Sequence, residues 1–192
     1  MTIGVYIDSC AWNYLHEKAI DLLAELPPNR YSLYLTREVK SELEAIPDDD
    51  EKKGALKAYI RTSIESASIK TTSIFGFQTF GANGLPSKVQ VNGGFGQGTF
   101  QSATDRRFYA SPGITSQLRG KTPRKSGLTA NQADVSLAVR SFGAFVLTND
   151  KKRGPLKLAQ ELGGKIIYLT TEVEKSGLTL GQYIASLQSP CE

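Results

Sequence analysis

The chain has 192 residues and a formal net charge of +4, with 40% hydrophobic and 22% charged residues. This composition is typical of a globular domain with its own core, and it excludes disordered and fibrous classes. No apolar run approaches the roughly 20 residues of a membrane helix and the N-terminus does not resemble a signal peptide, so we expect a single domain over residues 1–192, in the cytoplasm, without a membrane partner.

The first 70 residues show alternating strand and helix patterns. A β-branched run that ends at Asp8 predicts a buried parallel strand, which delivers this acid to the carboxyl edge of a sheet. Apolar residues recur at helical spacing from Trp12 to Leu26, and Pro27 and Pro28 end that helix. The next predicted elements are a strand at 31–35, a helix after the N-cap Thr36, a helix at 51–66 and a brief strand at 68–70.

The composition changes between residues 71 and 127. This segment contains seven basic residues against one acid, ten of the chain's 18 glycines, and seven aromatic residues. Alternation at residues 88–92, followed by two glycines, predicts an extended hairpin or flap. We interpret 71–127 as an inserted segment, which is either a substrate flap or a hairpin that packs its own phenylalanines on the domain.

Regular patterns return at Thr129, a predicted N-cap. They predict a helix that ends at Gly143, a strand at 144–148, a helix at 155–162, a strand at 165–169 and a helix at 180–187. Because strands and helices alternate, we predict an α/β fold with a parallel sheet of about four or five strands flanked by helices on both faces.

Four acids are expected at one edge of this sheet. Asp8 and Asp150 end strands, and Glu42 and Asp134 lie near the starts of helices. The carboxyl ends of parallel strands and the following helix starts share an edge, so the four carboxylates can converge there. Converging carboxylates repel each other unless cations neutralise them, and Mg²⁺ prefers such oxygen ligands. Phosphodiester hydrolysis is the chemistry suited to a site of this kind.

Each acid also has a structural interpretation. Asp8 is a candidate cap for the first helix, Asp134 a first-turn acid that compensates the helix dipole, and Asp150 a turn residue. Glu42 lies in the charged stretch 37–44, where a solvated face is the structural alternative for it, and Glu38 and Glu44 are interpreted as such a face. His16 is expected to pack or face solvent, and two cysteines, Cys10 and Cys191, are too few for a disulfide framework or a zinc site.

At four places the sequence resembles the PIN-domain family of magnesium-dependent nucleases, which includes VapC-type toxins. The similar motifs are residues 5–12 around Asp8, 35–43 before and after Glu42, 134–138 from Asp134, and 146–150 up to Asp150. The resemblance implies a PIN-like fold, Mg²⁺ or Mn²⁺ as cofactor, endoribonuclease activity, the four acids as catalytic and metal-binding residues, and supporting hydroxyls from Ser9 and Thr148.

The sequence departs from the family pattern in two places. Glu42 and Asp134 are 92 positions apart, and Arg153 stands where some members carry a further acid. An antitoxin protein and a second copy of the chain are the protein partners that we consider.

Basic residues outside the acidic motifs are candidates for RNA binding, because phosphate contacts supply much of nucleic-acid affinity. The alternative function is a non-catalytic RNA- or protein-binding module on the same fold. The candidate RNA-binding residues are Arg106, Arg107, Arg119, Lys121, Arg124, Lys125, Lys151 and Lys152.

Overall fold

Strands alternate with helices along the chain in the computed structural model, which describes residues 2–47, 49–75, 92–93, 98–118, 128 and 131–188. The elements are β1 (Ile3–Ile7), α1 (Ala11–Glu17), α2 (Leu22–Glu25), β2 (Tyr31–Thr36), α3 (Arg37–Glu44), α4 (Glu51–Ser66), β3 (Lys70–Phe75), β4 (Asn92–Gly93), β5 (Gly98–Thr99), α5 (Ala103–Ala110), α6 (Pro112–Leu118), α7 (Gln132–Arg140), β6 (Phe145–Thr148), α8 (Pro155–Glu161), β7 (Ile166–Tyr168), a π-helical turn (Leu169–Val173), α9 (Glu174–Ser176) and α10 (Leu180–Ser186).

All the strand pairs of the sheet are parallel within the described residues, and the strand order is β4-β3-β2-β1-β6-β7, with β5 also paired to β3. The α/β architecture with a parallel sheet is therefore confirmed, whereas the predicted number of four or five strands is not, because the described residues form seven. Val5 of β1 is in register with Leu33 of β2 on one side and Phe145 of β6 on the other. The strand order reverses at β1, and such a switch point is where open α/β sheets bind ligands.

The core lies on the central strands and the helices that cover them. Val5, Ile7, Trp12 and Leu15 have no exposed surface, which is expected for a strand with neighbours on both sides and the first helix that packs on it. The main helix contacts form two groups, one of α1 and α2 with α4 and one of α7 with α3, α5 and α8. No helix in the described part of the chain is both long and apolar enough to cross a bilayer.

The helix predicted between Trp12 and Leu26 is wrong as a single element. The chain leaves the helical conformation at Ala19, whose φ is +49°. Asp21 then caps a second helix, because its side chain accepts hydrogen bonds from the amides of Leu23 and Ala24. A local cap and a left-handed residue therefore override the helical spacing of the apolar residues.

The described parts of the basic segment contain elements that the sequence did not predict. Asn92 and Gly93 form β4, which pairs in parallel with β3, and two helices that the sequence analysis missed, α5 and α6, follow. Phe108 of α5 is buried in the main core and packs edge-on against Phe142, whereas Phe100 is 81% exposed. Residues 76–91, 94–97 and 119–127, which include most of the predicted hairpin, lie outside the described residues.

Most other predicted elements are found within one or two residues of their predicted bounds. The Oγ1 of Thr36 caps α3 by accepting from the amide of Val39 at 3.2 Å, and α4 has the predicted range. The third strand begins at Lys70 and runs to Phe75, so it is longer than predicted. The predicted cap Thr129 lies outside the described residues, and the N-cap of α7 is Asn131.

Candidate active site at the carboxyl edge of the sheet

The four predicted acids line one cavity of about 230 Å³. Asp8 follows β1 and Asp150 follows β6, so these neighbouring strands bring them to the same edge. Glu42 comes from α3 and Asp134 from the first turn of α7. Four separate elements thus contribute one carboxylate each to the same cavity.

Asp8 is the buried member of the set, with 2% of its surface exposed. Its Oδ2 accepts a hydrogen bond of 2.6 Å from the hydroxyl of Thr148 and one of 2.9 Å from the thiol of Cys10. Within the described residues Asp8 forms no ion pair with a basic side chain. The groups that orient its carboxyl oxygens are therefore neutral donors.

Ser9 connects the acids of β1 and α3. Its hydroxyl donates to Oε2 of Glu42 at 2.7 Å and lies 3.4 Å from Oδ1 of Asp8. A small polar residue directly after the strand thus fixes one carboxylate and lies beside the other. The supporting role that the family resemblance implies for the Ser9 hydroxyl stays a prediction.

Thr148 organises the strand end that carries Asp150. The Thr148 side chain has no exposed surface, and besides donating to Asp8 it accepts from the amide of Asp150 at 3.0 Å. Oδ1 of Asp150 accepts from the amide of Lys152 at 2.9 Å, so the turn interpretation of Asp150 is correct for one of its oxygens. The preceding Asn149 accepts from the amide and the hydroxyl of Thr170, which holds this loop against the π-helical turn.

Cys10 also lines the cavity, and it acts as a hydrogen-bond donor there. Burial raises the pKa of its thiol to about 12, and the charge of Asp8 and the hydrogen bond to it add to this rise. The thiol is therefore protonated at neutral pH, a state in which it is a poor metal ligand. The amide of Asn149 donates to its sulfur at 3.1 Å.

The structural interpretation of the acids as caps, first-turn residues or solvated residues is correct for some of them and wrong for others. The side chain of Asp8 does not cap α1, since the N-cap position is Cys10 and no side-chain cap bond is formed there. Asp134 does lie in the first turn of α7, where a negative charge compensates the helix dipole. Glu44 is exposed, as predicted, and lies 3.8 Å from Lys40.

The prediction that Glu38 lies on a solvated face is wrong. Glu38 is 2% exposed, and the hydroxyl of Ser136 donates to its Oε2 at 2.8 Å. Burial raises the pKa of Glu38, while its hydrogen bonds and the charge of Arg140 act in the opposite direction. The surrounding charged sequence gave no sign of this burial, because the partner lies 98 positions away.

The donor set of the cavity is compatible with Mg²⁺ or Mn²⁺. No group of three or more His, Cys, Asp or Glu side chains stands ready to enclose an ion in the described part of the chain. Mg²⁺ does not require such a cage, because it keeps several waters and is bound by one or two carboxylates together with substrate phosphates. A cavity of about 230 Å³ has room for a hydrated ion among these acids.

Basic residues lie at the same cavity. Lys152 and Arg153 line it, and neither they nor Lys151 forms an ion pair with another described residue. Arg106 and Arg107 are exposed on α5 and are not among the described residues that line the cavity. The other four predicted RNA-binding residues, Arg119, Lys121, Arg124 and Lys125, lie outside the described residues.

Asn131 is a cavity residue that the sequence analysis missed. It is the N-cap of α7, yet its side chain forms no cap bond and its backbone is left-handed, with φ +68°. Asparagine tolerates this conformation better than most residues, and non-glycine residues in it cluster at functional sites. The available signal was its position three residues before Asp134, at a predicted helix start.

Comparisons with known proteins give little further information. No family model and no curated protein matches this chain. A solved structure described as a domain of a functionally unknown protein from Methanocaldococcus jannaschii DSM 2661 is similar, with a TM-score of 0.39 and 16% sequence identity over 88% of this chain and 91% of that chain. A similarity at this TM-score carries no argument about function.

Proposed function

We propose that this protein is a metal-dependent endoribonuclease of the PIN-domain type that hydrolyses RNA phosphodiester bonds with Mg²⁺ or Mn²⁺. The observation that carries the proposal is that Asp8, Glu42, Asp134 and Asp150 line one cavity although they come from four elements. The resemblance to VapC-type toxins extends the proposal to the toxin of a toxin–antitoxin pair, acting in the cytoplasm.

The residues of the chain have distinct parts in this proposal. The four acids would hold the ion, which when bound would supply an activated water and neutralise charge on the leaving oxygen. Thr148 and Ser9 orient Asp8 and Glu42 as candidate ligands, because their hydroxyls donate to these acids at 2.6 and 2.7 Å. The positive charges of Lys152 and Arg153 at the same cavity attract a phosphate toward acids that would otherwise repel it.

The direct test is cleavage of structured RNAs with Mg²⁺ or Mn²⁺ by the wild type and by Asp8→Asn and Glu42→Gln. We expect both variants to lose most activity, with products of the wild type carrying 5′-phosphate and 3′-hydroxyl ends. Glu44→Gln is the matched control, since Glu44 is an exposed acid of the same helix, outside the cavity lining. Equal activity of Asp8→Asn and the wild type would contradict the proposal.

A second candidate is a non-catalytic RNA- or protein-binding module. It is favoured by the exposed arginines Arg106 and Arg107 on α5, which lie outside the lining of the acidic cavity. Calorimetry with Mn²⁺ separates the two functions. A nuclease binds the ion and loses that binding in Asp8→Asn, whereas the module binds RNA in a salt-dependent manner without the ion.

A further inference from the structure

One buried hydrogen bond connects the two helices that carry Glu42 and Asp134. The hydroxyl of Ser136 on α7 donates to Oε2 of Glu38 on α3 at 2.8 Å, and both residues are 2% exposed. The two helices are also in direct contact. The bond is therefore part of the interface that sets how far apart α3 and α7 lie.

The position of this bond relates it to the acidic cavity. Glu38 precedes Glu42 by four residues, so the two side chains lie on the same face of α3, one turn apart. Ser136 follows Asp134 by two residues and therefore points away from the acid-bearing side of α7. The bond links the helices rather than the two acids, and it acts one turn away from the cavity.

Burying a carboxylate between α3 and α7 is energetically unfavourable. Burying a charge costs free energy that its partners only partly return, and a well-packed apolar residue is often as stable or more stable at such a place. The neighbouring Val39 and Leu43 of α3 are apolar and buried, so an apolar residue at position 38 would suit the interface. What an apolar residue cannot do is accept a directional hydrogen bond from Ser136.

We propose that Glu38 is a positioning residue, whose bond to Ser136 holds α3 and α7 at the separation at which Glu42 and Asp134 act on the same ion. The effect on metal binding rests on the proposed nuclease function, whereas the effect on the distance between α3 and α7 does not. Besides Ser136, the side chains that interact with the Glu38 carboxyl group are Thr36, Arg140 and Tyr109, and all three lie outside the lining of the acidic cavity.

Glu38→Leu is the informative variant. It removes the acceptor together with the cost of burying it, so we expect the variant to fold. Glu38→Gln keeps an acceptor of the same shape, and Ser136→Ala removes the donor from the other side. The matched control is Ser63→Ala, since Ser63 is a buried serine on α4, away from this interface.

Two measurements are made on each full-length variant. Crystal structures without metal give the distance between the Cα atoms of Glu42 and Asp134, and calorimetric titration with Mn²⁺ gives its dissociation constant. We expect Glu38→Leu and Ser136→Ala to change that distance and to weaken Mn²⁺ binding by about 10- to 100-fold, as loss of groups that orient metal ligands usually does. The double variant should bind no more weakly than Glu38→Leu alone, because Ser136→Ala removes a bond that Glu38→Leu has already broken.

Glu38→Gln and Ser63→Ala should keep the wild-type distance and affinity. A wild-type distance in Glu38→Leu, or weakened binding in Glu38→Gln equal to that in Glu38→Leu, would overturn the positioning role. If the wild type binds no Mn²⁺, the nuclease proposal fails, and the distance between Glu42 and Asp134 alone then decides whether Glu38 positions the helices.

Discussion

Replacing Thr148 with valine keeps the shape of the side chain and removes a hydroxyl that makes three hydrogen bonds, the longest of them at 3.3 Å with the sulfur of Cys10. The hydroxyl donates to Oδ2 of Asp8 at 2.6 Å and accepts from the amide of Asp150 at 3.0 Å. Thr148 has no exposed surface and Asp8 only 2%, so water does not readily replace the lost bonds. The substitution therefore leaves a buried carboxylate with one donor fewer and an amide without its acceptor.

The expected loss follows from the two shorter bonds, those to Asp8 and to the amide of Asp150. A hydrogen bond to a charged group contributes about 1.5–3 kcal/mol and a neutral one about 1 kcal/mol. We expect Thr148→Val to lower the free energy of unfolding by about 2.5–4 kcal/mol, a large part of the 5–15 kcal/mol typical of a domain. Thr148→Ser keeps the hydroxyl and loses one methyl group, which costs about 1 kcal/mol.

The assay is urea denaturation at pH 7, with unfolding monitored by tryptophan fluorescence. Trp12 is the single tryptophan and is fully buried next to the site, so its emission reports the unfolding of this region. The comparison between Thr148→Val and Thr148→Ser isolates the hydroxyl. A valine variant that is as stable as the serine variant would refute the claim that Thr148 holds Asp8.

The same denaturation assay tests three further predictions. Burial raises the pKa of Glu38 above its usual 4.5, so the stability that its protonated carboxyl group provides is complete below pH 4.5 and is lost as the pH rises through the raised pKa. The free energy of unfolding of Glu38→Gln should therefore equal that of the wild type at low pH and be higher at pH 7. Equal free energies of unfolding at both pH values would contradict this prediction. Asn131→Gly should keep full stability while Asn131→Ala loses about 1 kcal/mol, because Asn131 is left-handed; equal stability of the two would show that its φ imposes no strain. Gly181→Ala should destabilise the protein by about 1–3 kcal/mol, since a Cβ there would collide with the carbonyl of Glu25. Gly54→Ala, in open space within α4, should stabilise the protein by about 0.5–1 kcal/mol. A Gly181→Ala variant more stable than Gly54→Ala would refute the packing argument.

The sequence predicted the arrangement of the acids because that arrangement depends on local signals and on one rule of topology. The strand that ends at Asp8, the strand that ends at Asp150 and the N-cap Thr36 before Glu42 are all visible within short stretches. Parallel strands then require their carboxyl ends to share an edge. The role of these acids in metal binding and catalysis stays a prediction.

Features that depend on distant partners could not be predicted in this way. The burial of Glu38 depends on Ser136, which has no recognisable relation to it in sequence. The core packing of Phe108 was hidden by the glycine-rich, basic composition around it. A local signal for α5 did exist, since Ser102 and Asp105 have the spacing of a capping box and form one.

The position of β1 between β2 and β6 has a consequence for the protein during its synthesis. One edge of β1 can pair with β2 early in synthesis. The other edge pairs with β6, whose last residue, Thr148, comes 140 positions after Asp8. At a translation rate of about 5–20 residues per second, that interval is roughly 7–28 s. During this time an apolar strand edge stays unpaired on the nascent chain and invites chaperone binding or aggregation. The four-acid cavity is thus assembled only when most of the chain has left the ribosome.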